Sequence, residues 1–231
     1  IVYEADMKIG ILITGHPPET LMDRGLYDQY FARLLDGHGL TFQGWSVCDG
    51  VFPESVSEAD GWLITGSKHG AYEDHDWIPP LEDFIRAAHA ARRPMIGVCF
   101  GHQLIAQAMG GRVEKFSGGW AVGRTEYELE GQHISVNAWH QDQVVAIPEG
   151  AEVIASNSFC ENAGLLYGDL MWTIQPHPEY DSDFIEGLIK TRGKGVVPDA
   201  LLKDASDRLD QPTDRMAVAD MMAAFFKKER T

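Results

Sequence analysis

Strand patterns and helix patterns alternate along residues 8–109, and this alternation is the strongest constraint on the fold. Short apolar segments rich in β-branched residues predict strands at 8–14, 40–47, 60–65 and 94–98. Amphipathic segments predict helices at 26–35, 80–91 and 102–109. Strands that alternate with helices form a mostly parallel sheet with helices on both faces, so we expect an α/β fold.

The pattern changes after residue 109. Short strand-like segments separated by turns are predicted at 124–130, 133–138, 144–147, 152–156, 164–167 and 171–175. We expect them to form a smaller antiparallel section joined to the first sheet. A helix at 182–191 and two further helices complete the chain, so we predict one domain over residues 1–192 and a helical C-terminal extension over 193–231, packed on the same domain.

The last predicted helix has a start signal and an apolar face. Thr213 is the predicted N-terminal cap, and Asp214 complements the positive end of the helix dipole. One face is predicted to dock on the body of the domain, and it carries Met216, Ala219, Met222, Ala223 and Phe226.

Charge excludes one large class of partner. Asp and Glu number 35 against 19 Lys and Arg, for a formal net charge of −16. A broad basic face that could neutralise phosphates is therefore not expected, and nucleic acid is not an expected partner. No apolar run approaches the roughly 18 residues of a membrane span, so a membrane is not expected either.

The cysteines favour a reducing compartment. Cys48, Cys99 and Cys160 are widely spaced and form no CxxC pair. We expect a cytoplasmic protein, since the N-terminus also lacks a secretory pattern. Residues 1–6 precede a methionine, Met7, and are expected to be a start-site remnant.

The most informative motif lies at residues 97–103, which read G-x-C-x-G-x-Q between a predicted strand and a predicted helix. A sharp strand-to-helix turn of this kind exposes one side chain, here that of Cys99, and small flanking residues relieve the crowding. The helix N-terminus favours the thiolate form of Cys99. The N–H of Phe100 is placed to help bind an oxyanion.

A second motif supplies a base for this thiol. Residues 175–179 read Gln-Pro-His-Pro-Glu at the end of a predicted strand. In an extended chain, residues two apart point to the same side, so Glu179 can orient His177. Cys99, His177 and Glu179 therefore form a candidate catalytic triad.

These two motifs resemble those of the class I, or triad-type, glutamine amidotransferases, over residues 7–191. The chain looks most similar to their free-standing members of the GMP synthetase type. The resemblance implies a flavodoxin-like fold, a γ-glutamyl thioester on Cys99, and His177 as acid and base. It also implies release of ammonia from the glutamine side chain to an unknown acceptor, such as a separate synthase subunit.

The same resemblance assigns further site residues. The loop Thr65-Gly66-Ser67 is expected to supply an oxyanion donor, from Gly66 or Ser67, although many relatives carry a second glycine and a proline there. Gln103 and His140 fall where relatives hold the α-amino and α-carboxylate groups of glutamine.

Two other functions stay open at this point. A γ-glutamyl peptidase or hydrolase would form the same thioester from a γ-glutamyl peptide, and the sequence barely separates it from a glutaminase. A non-catalytic regulatory protein that retains the fold would be expected to have a damaged triad, whereas all three residues are present.

Cofactors and metals are not expected. No G-x-G-x-x-G follows the first strand, and no P-loop is present. Histidines that could join Asp74 or Asp76 in a metal site show no recognised ligand spacing; they are His16, His69, His75, His102 and His140. Residues 72–77 are expected to form a solvated loop, with a lid or acceptor site as the alternative.

Overall fold

The computed structural model describes residues 6–230, and the secondary structure there alternates as the sequence predicts. Residues 1–5 of the expected start-site remnant lie outside the described residues. The strands are β1 (Met7–Leu12), β2 (Leu40–Trp45), β3 (Gly61–Ile64), β4 (Met95–Val98), β5 (Arg112–Lys115), β6 (Ala121–Leu129), β7 (Gln132–His140), β8 (Asp142–Ala146), β9 (Ala151–Ser156), β10 (Gly164–Tyr167) and β11 (Met171–Ile174). The helices are α1 (Tyr27–Leu34), α2 (Ile78–Ala90), α3 (Phe100–Ala108), α4 (Ser182–Lys190), α5 (Asp199–Asp207) and α6 (Arg215–Lys227).

A nine-stranded sheet organises the described residues, in the order β2-β1-β3-β4-β11-β10-β9-β6-β7. The five strands from β2 to β11 pair in parallel. The strands from β11 to β7 pair antiparallel. The α/β fold with a parallel central sheet and a joined antiparallel section is therefore confirmed.

A small second sheet holds a strand that the sequence pattern did not predict. Strand β5 pairs antiparallel with β8. In the sequence Arg-Val-Glu-Lys of β5, only Val113 is buried. One buried side chain is too short a pattern to identify a strand, so this element depends on its partner strand.

Successive side chains of a strand point to opposite faces of the sheet, and in the parallel section the side chains on both faces are buried. Ile9 and Ile11 of β1 belong to the hydrophobic cluster that also contains the buried face of α6. Leu12 belongs to the cluster on the other face, with Leu81 of α2 and Leu104 of α3. Each face of the parallel sheet is thus covered by helices.

Helix α6 differs in detail from the prediction. Its buried side chains are Val218, Ala219, Met222, Ala223, Phe225 and Phe226. Met216 was placed wrongly on this face, since it is 51% exposed. Thr213 was also wrong as the cap: Asp214 precedes the helix, and its Oδ2 accepts the N–H of Ser135 at 2.7 Å. A strand contact has replaced the local capping bond.

The rest of the C-terminal segment also contacts the sheet. Leu202 and Ala205 of α5 form a cluster with Val122 of β6. The division at residue 192 stays a prediction. Within residues 6–230, none of the helices is both long and apolar enough to cross a bilayer.

Gly101 marks the closest approach between α3 and the sheet. A Cβ placed on Gly101 would lie 2.3 Å from the backbone oxygen of Ile64 in β3. Backbone atoms cannot move aside as a flexible side chain can. Only glycine allows α3 to begin this close to β3, and α3 begins directly after Cys99.

We expect Gly101→Ala to lower the free energy of unfolding by about 1–3 kcal/mol, as overpacking does in well-packed cores. Urea denaturation measures this change in the free energy of unfolding. The matched control is Gly187→Ala in α4, where the added Cβ meets the flexible end of Leu21 at 2.6 Å. If the two variants lose the same free energy of unfolding, the close backbone contact at Gly101 is not the cause of the loss.

Candidate active site

Cys99 lies in a strained turn at the carboxyl end of β4. Its backbone has φ 53° and ψ −104°, and α3 begins at the next residue. Positive φ is costly for a residue with a side chain and is concentrated at functional sites. The backbone N–H of Cys99 donates to the Ile174 oxygen of β11 at 2.9 Å. The predicted elbow is therefore present, and it is tied to the neighbouring strand.

Gly97 is the second glycine that this turn requires. A Cβ on Gly97 would lie 2.6 Å from both the carbonyl carbon and the oxygen of Gly101. The first and last glycines of the motif thus let the chain reverse at Cys99 without a steric clash.

The structure brings His177 and Glu179 to Cys99. Strands β4 and β11 are parallel neighbours with Val98 opposite Ile174, so the segments that follow them meet at one edge of the sheet. The side chains of His177 and Cys99 line the same cavity, and both lie close to Gly66. Its Nδ1 lies 2.6 Å from Oε1 of Glu179, and both side chains are buried. The three residues of the predicted triad are therefore in one place.

The charges of this triad stabilise one another. Burial alone would lower the pKa of His177, but the Glu179 carboxylate and the Cys99 side chain outweigh burial and raise this pKa to about 10. Because Nδ1 contacts Glu179, Nε2 is the ring nitrogen left for Cys99. The arrangement favours the protonated form of the His177 ring, which lies beside Glu179 and Cys99.

Contacts from other elements hold His177 in place, and the sequence did not reveal them. The N–H of His177 donates to the Asn137 oxygen of β7 at 2.8 Å. The imidazole stacks on Tyr180 with a centroid distance of 4.0 Å. Arg215 of α6 donates from Nε to the Pro178 oxygen at 2.9 Å. Each partner is distant in sequence or carries no motif, so no local signal could have identified it.

The candidate oxyanion donors lie next to the triad. A Cβ on Gly66 would be 2.9 Å from Cε1 of His177 and 3.8 Å from the Cβ of Cys99, so this backbone lies against both side chains. Ser67 lines the same cavity as Cys99. Phe100 is the first residue of α3, where helix N–H groups have no intrahelical partner. Gly66 and Phe100 therefore lie next to Cys99, and Ser67 belongs to the wall of the same cavity.

A buried threonine pair supports the Gly66 loop. Oγ1 of Thr14 lies 2.9 Å from the Thr65 oxygen and 3.0 Å from the Gly66 oxygen. The N–H of Thr14 donates to Oγ1 of Thr65 at 3.0 Å. These bonds hold the loop against the end of β1.

The triad opens into a cavity of about 400 Å³. Its walls include the aromatic side chains of Tyr27, Tyr72, Trp120, Trp139 and Tyr180. Its basic side chains are Lys68, Lys115 and Arg192. The acidic side chains of Glu73 and Asp142 line it as well, so the cavity offers groups of both charges to a ligand.

Gln103 and His140 both line this cavity. The Nε2 of Gln103 donates to the Asp142 oxygen at 2.9 Å and to Oε1 of Gln175 at 3.1 Å. His140 is buried, which lowers its pKa to about 3 and keeps the ring neutral. Its Nδ1 lies 3.1 Å from the Asp142 oxygen, so Nδ1 carries the proton and the unpartnered Nε2 is an acceptor.

Gln175 is a site residue that the sequence analysis did not single out. Its Nε2 lies 3.5 Å from the Sγ of Cys99. It precedes His177 by two residues in an extended segment, so the alternation that linked His177 to Glu179 could also have identified it.

Other titratable side chains differ from Cys99 in their surroundings. Burial is the main cause that raises the pKa of Cys48 to about 11 and that of Cys160 to about 12, so both are thiols at neutral pH. Burial lowers the pKa of His102 to about 4. The ring of His102 bridges Thr173 and the Asn162 oxygen, which is a structural role.

The family model for "Glutamine amidotransferase class-I" matches residues 52–185, a segment that contains the elbow, the His-Pro-Glu motif and the Gly66 loop. The chain belongs to the class I glutamine amidotransferase family.

Individual members of the family agree with this assignment. The chain is 34% identical to gamma-glutamyl peptidase 4 of Arabidopsis thaliana over 80% of this chain and 81% of the peptidase. It is 31% identical to a glutamine-hydrolysing GMP synthase subunit from Methanopyrus kandleri, over 62% of this chain and 81% of that protein. A glutamine amidotransferase structure from Methylobacillus flagellatus has the same fold, with a TM-score of 0.74, 23% identity, and coverage of 98% and 97%.

We expect Glu179→Gln to lower the pKa of His177, because the carboxylate opposes the effect of burial. In the native protein the imidazolium persists up to about pH 10. In the variant the ring loses its proton at a lower pH. NMR titration of the ring nitrogens measures this change.

The matched control for this titration is Glu128→Gln, which removes an exposed carboxylate from His133 instead. The control leaves the titration of His177 unchanged. A His177 pKa that stays near its native value in Glu179→Gln would show that Glu179 does not hold the imidazolium.

Proposed function

We propose that this protein hydrolyses γ-glutamyl amide bonds through a thioester on Cys99, and that γ-glutamyl peptides are its preferred substrates. The observation that carries the proposal is the buried Cys99–His177–Glu179 arrangement, which opens into a cavity of about 400 Å³. Cavities of roughly 300–1,000 Å³ accommodate ligands larger than free glutamine.

In the first half of the reaction, the Cys99 thiolate attacks the γ-carbonyl carbon of the substrate. The carbonyl oxygen becomes an oxyanion, which the backbone N–H groups of Phe100 and of Gly66 or Ser67 stabilise. The imidazolium of His177 donates its Nε2 proton to the leaving nitrogen as the C–N bond breaks. The products of this half are a free amine and a γ-glutamyl thioester.

Water completes the reaction. Neutral His177 takes a proton from water, and the resulting hydroxide attacks the thioester carbonyl. The C–S bond breaks, which restores the Cys99 thiolate and leaves His177 as the imidazolium. The γ-glutamyl product leaves as a carboxylic acid, which gives its proton to the solvent. Glu179 stays ionised and holds the ring throughout.

The polar groups of the cavity suit the glutamyl part of the substrate. Both donors of the Gln103 amide are already bonded to the protein, so its oxygen is the atom available to accept from the α-ammonium group. Nε2 of His140 is a second acceptor. The basic side chains of the cavity, among them Lys68 and Arg192, suit the carboxylates of a γ-glutamyl peptide.

The aromatic walls of the cavity favour a peptide over glutamine. Loss of ammonia from glutamine requires no apolar contact with the leaving group, whereas the amino acid released from a peptide has a side chain to bury. Trp120 and Trp139 line the cavity and offer such contacts. The similarity to gamma-glutamyl peptidase 4 supports the same choice.

We expect purified protein to cleave γ-glutamyl dipeptides with a higher kcat/KM than glutamine. Cys99→Ala should lower the rate by about 10⁴-fold or more, as loss of a triad nucleophile does. Release of the amino acid and of ammonia is followed side by side, and Cys48→Ala, which removes a thiol outside the triad, is the control. Cleavage in Cys99→Ala at the native rate would contradict the role of Cys99.

The second candidate function is a glutaminase that passes ammonia to a separate synthase protein, and the similarity to the GMP synthase component of Methanopyrus kandleri supports it. Cys99-dependent ammonia release from glutamine, with dipeptides left uncleaved, would favour this candidate over the peptidase. Inactivity on every substrate, with no labelling of Cys99 by a glutamine-like electrophile, would favour the regulatory protein.

A further inference from the structure

The side chains of His69, Glu73 and His75 meet beside the cavity that contains Cys99, although their spacing in the sequence matches no known metal-ligand pattern. The Nδ1 of His69 lies 3.2 Å from Oε2 of Glu73, and the Nε2 of His75 lies 2.7 Å from the same oxygen. The three ligand atoms lie within 4.8 Å of one another. We propose that His69, Glu73 and His75 bind a zinc ion.

The donor set matches this metal. Imidazole nitrogen and carboxylate oxygen are both zinc ligands, and they bind at about 2.0–2.2 Å. Ligand atoms around a tetrahedral ion with such bonds are roughly 3.3–3.6 Å apart. The observed distances of 3.2 Å for His69 and 2.7 Å for His75 are shorter than this, so the side chains, the His75 ring above all, move outward to make room for the ion. Three protein ligands leave the fourth position open.

The chain holds these side chains in a compact turn. The N–H of Glu73 donates to the Gly70 oxygen at 3.0 Å, and the N–H of His75 donates to the Glu73 oxygen at 3.2 Å. The N–H of His69 donates to Oγ of Ser67 at 3.2 Å. The rings of His69 and His75 are in contact, with centroids 4.1 Å apart. The ligands are therefore already close together before an ion binds.

The site is accessible to an ion from solvent. The side chains of His69, Glu73 and His75 are 28%, 41% and 31% exposed. His69 and Glu73 also line the cavity that contains Cys99. His75 stacks on Trp77, and Trp77 packs on Phe100, the first residue after the elbow. An ion bound here would lie beside the cavity that contains Cys99.

A second group of ligand atoms, from His16, Cys48 and Asp49, provides a useful comparison. The His16 ring approaches Asp49 at 2.8 Å, but Sγ of Cys48 is 3.7 Å from the same ring nitrogen. A zinc ion there would have a sulfur ligand. The proposed site has only nitrogen and oxygen ligands, so the two sites are distinguishable by spectroscopy.

The test is a titration of Zn²⁺ into the full Cys99→Ala chain by isothermal calorimetry. The Cys99→Ala background removes the thiol that could bind zinc together with His177. We expect one equivalent of Zn²⁺ to bind. Adding Glu73→Gln or His75→Ala should weaken binding by at least about 100-fold, because loss of a direct ligand exceeds the roughly 10–100-fold cost of second-sphere changes.

The matched control is His16→Ala in the same background, which should leave Zn²⁺ binding unchanged. Circular dichroism establishes that each variant is folded. If His75→Ala does not fold, the near-isosteric Glu73→Gln still tests the proposal. X-ray absorption of the zinc complex should show nitrogen and oxygen ligands without sulfur. Undetectable binding, unchanged affinity in Glu73→Gln, loss of binding in His16→Ala, or a sulfur ligand would each overturn the proposal.

Discussion

The parallel pairing of β4 with β11 is the contact on which the candidate site depends. These strands are far apart in the chain, yet Val98 lies opposite Ile174 and the N–H of Cys99 donates to the Ile174 oxygen. The pairing places the strand-to-helix elbow and the His-Pro-Glu segment at one edge of the sheet. Gly97 and Gly101 make the elbow possible because no side chain fits at either position. The geometry of the candidate site therefore depends on the order of the strands in the sheet and on two positions where only glycine fits.

Burial sets the electrostatic requirements of the same site. A buried imidazolium is unfavourable unless opposite charges compensate for the loss of water. Glu179 and Cys99 supply that compensation on the two sides of His177. Asn137, Tyr180 and Arg215 then restrict where the histidine segment can lie. Helix α6 thus contributes both to the apolar core and, through Arg215, to the position of the triad.

The parts of the structure that could be predicted are those with a local pattern. The alternation of strands and helices identified the parallel sheet, and the two short motifs identified Cys99, His177 and Glu179 as a group. Strand β5 was missed because its charged sequence carries one buried residue, and the cap at Thr213 was wrong because Asp214 bonds to Ser135 of β7. The supports of His177 and the group formed by His69, Glu73 and His75 depend on tertiary contacts and turn geometry, which no spacing rule describes.

The most direct test of this account is the rate at which iodoacetamide alkylates each cysteine at mildly acidic pH, mapped by peptide mass spectrometry. If Cys99 is held as a thiolate by the imidazolium of His177, it reacts much faster than Cys48 and Cys160, whose pKa values are raised to about 11 and about 12. His177→Ala should remove this advantage. Slow alkylation of Cys99 in the native protein, or fast alkylation that persists in His177→Ala, would contradict the thiolate–imidazolium pair.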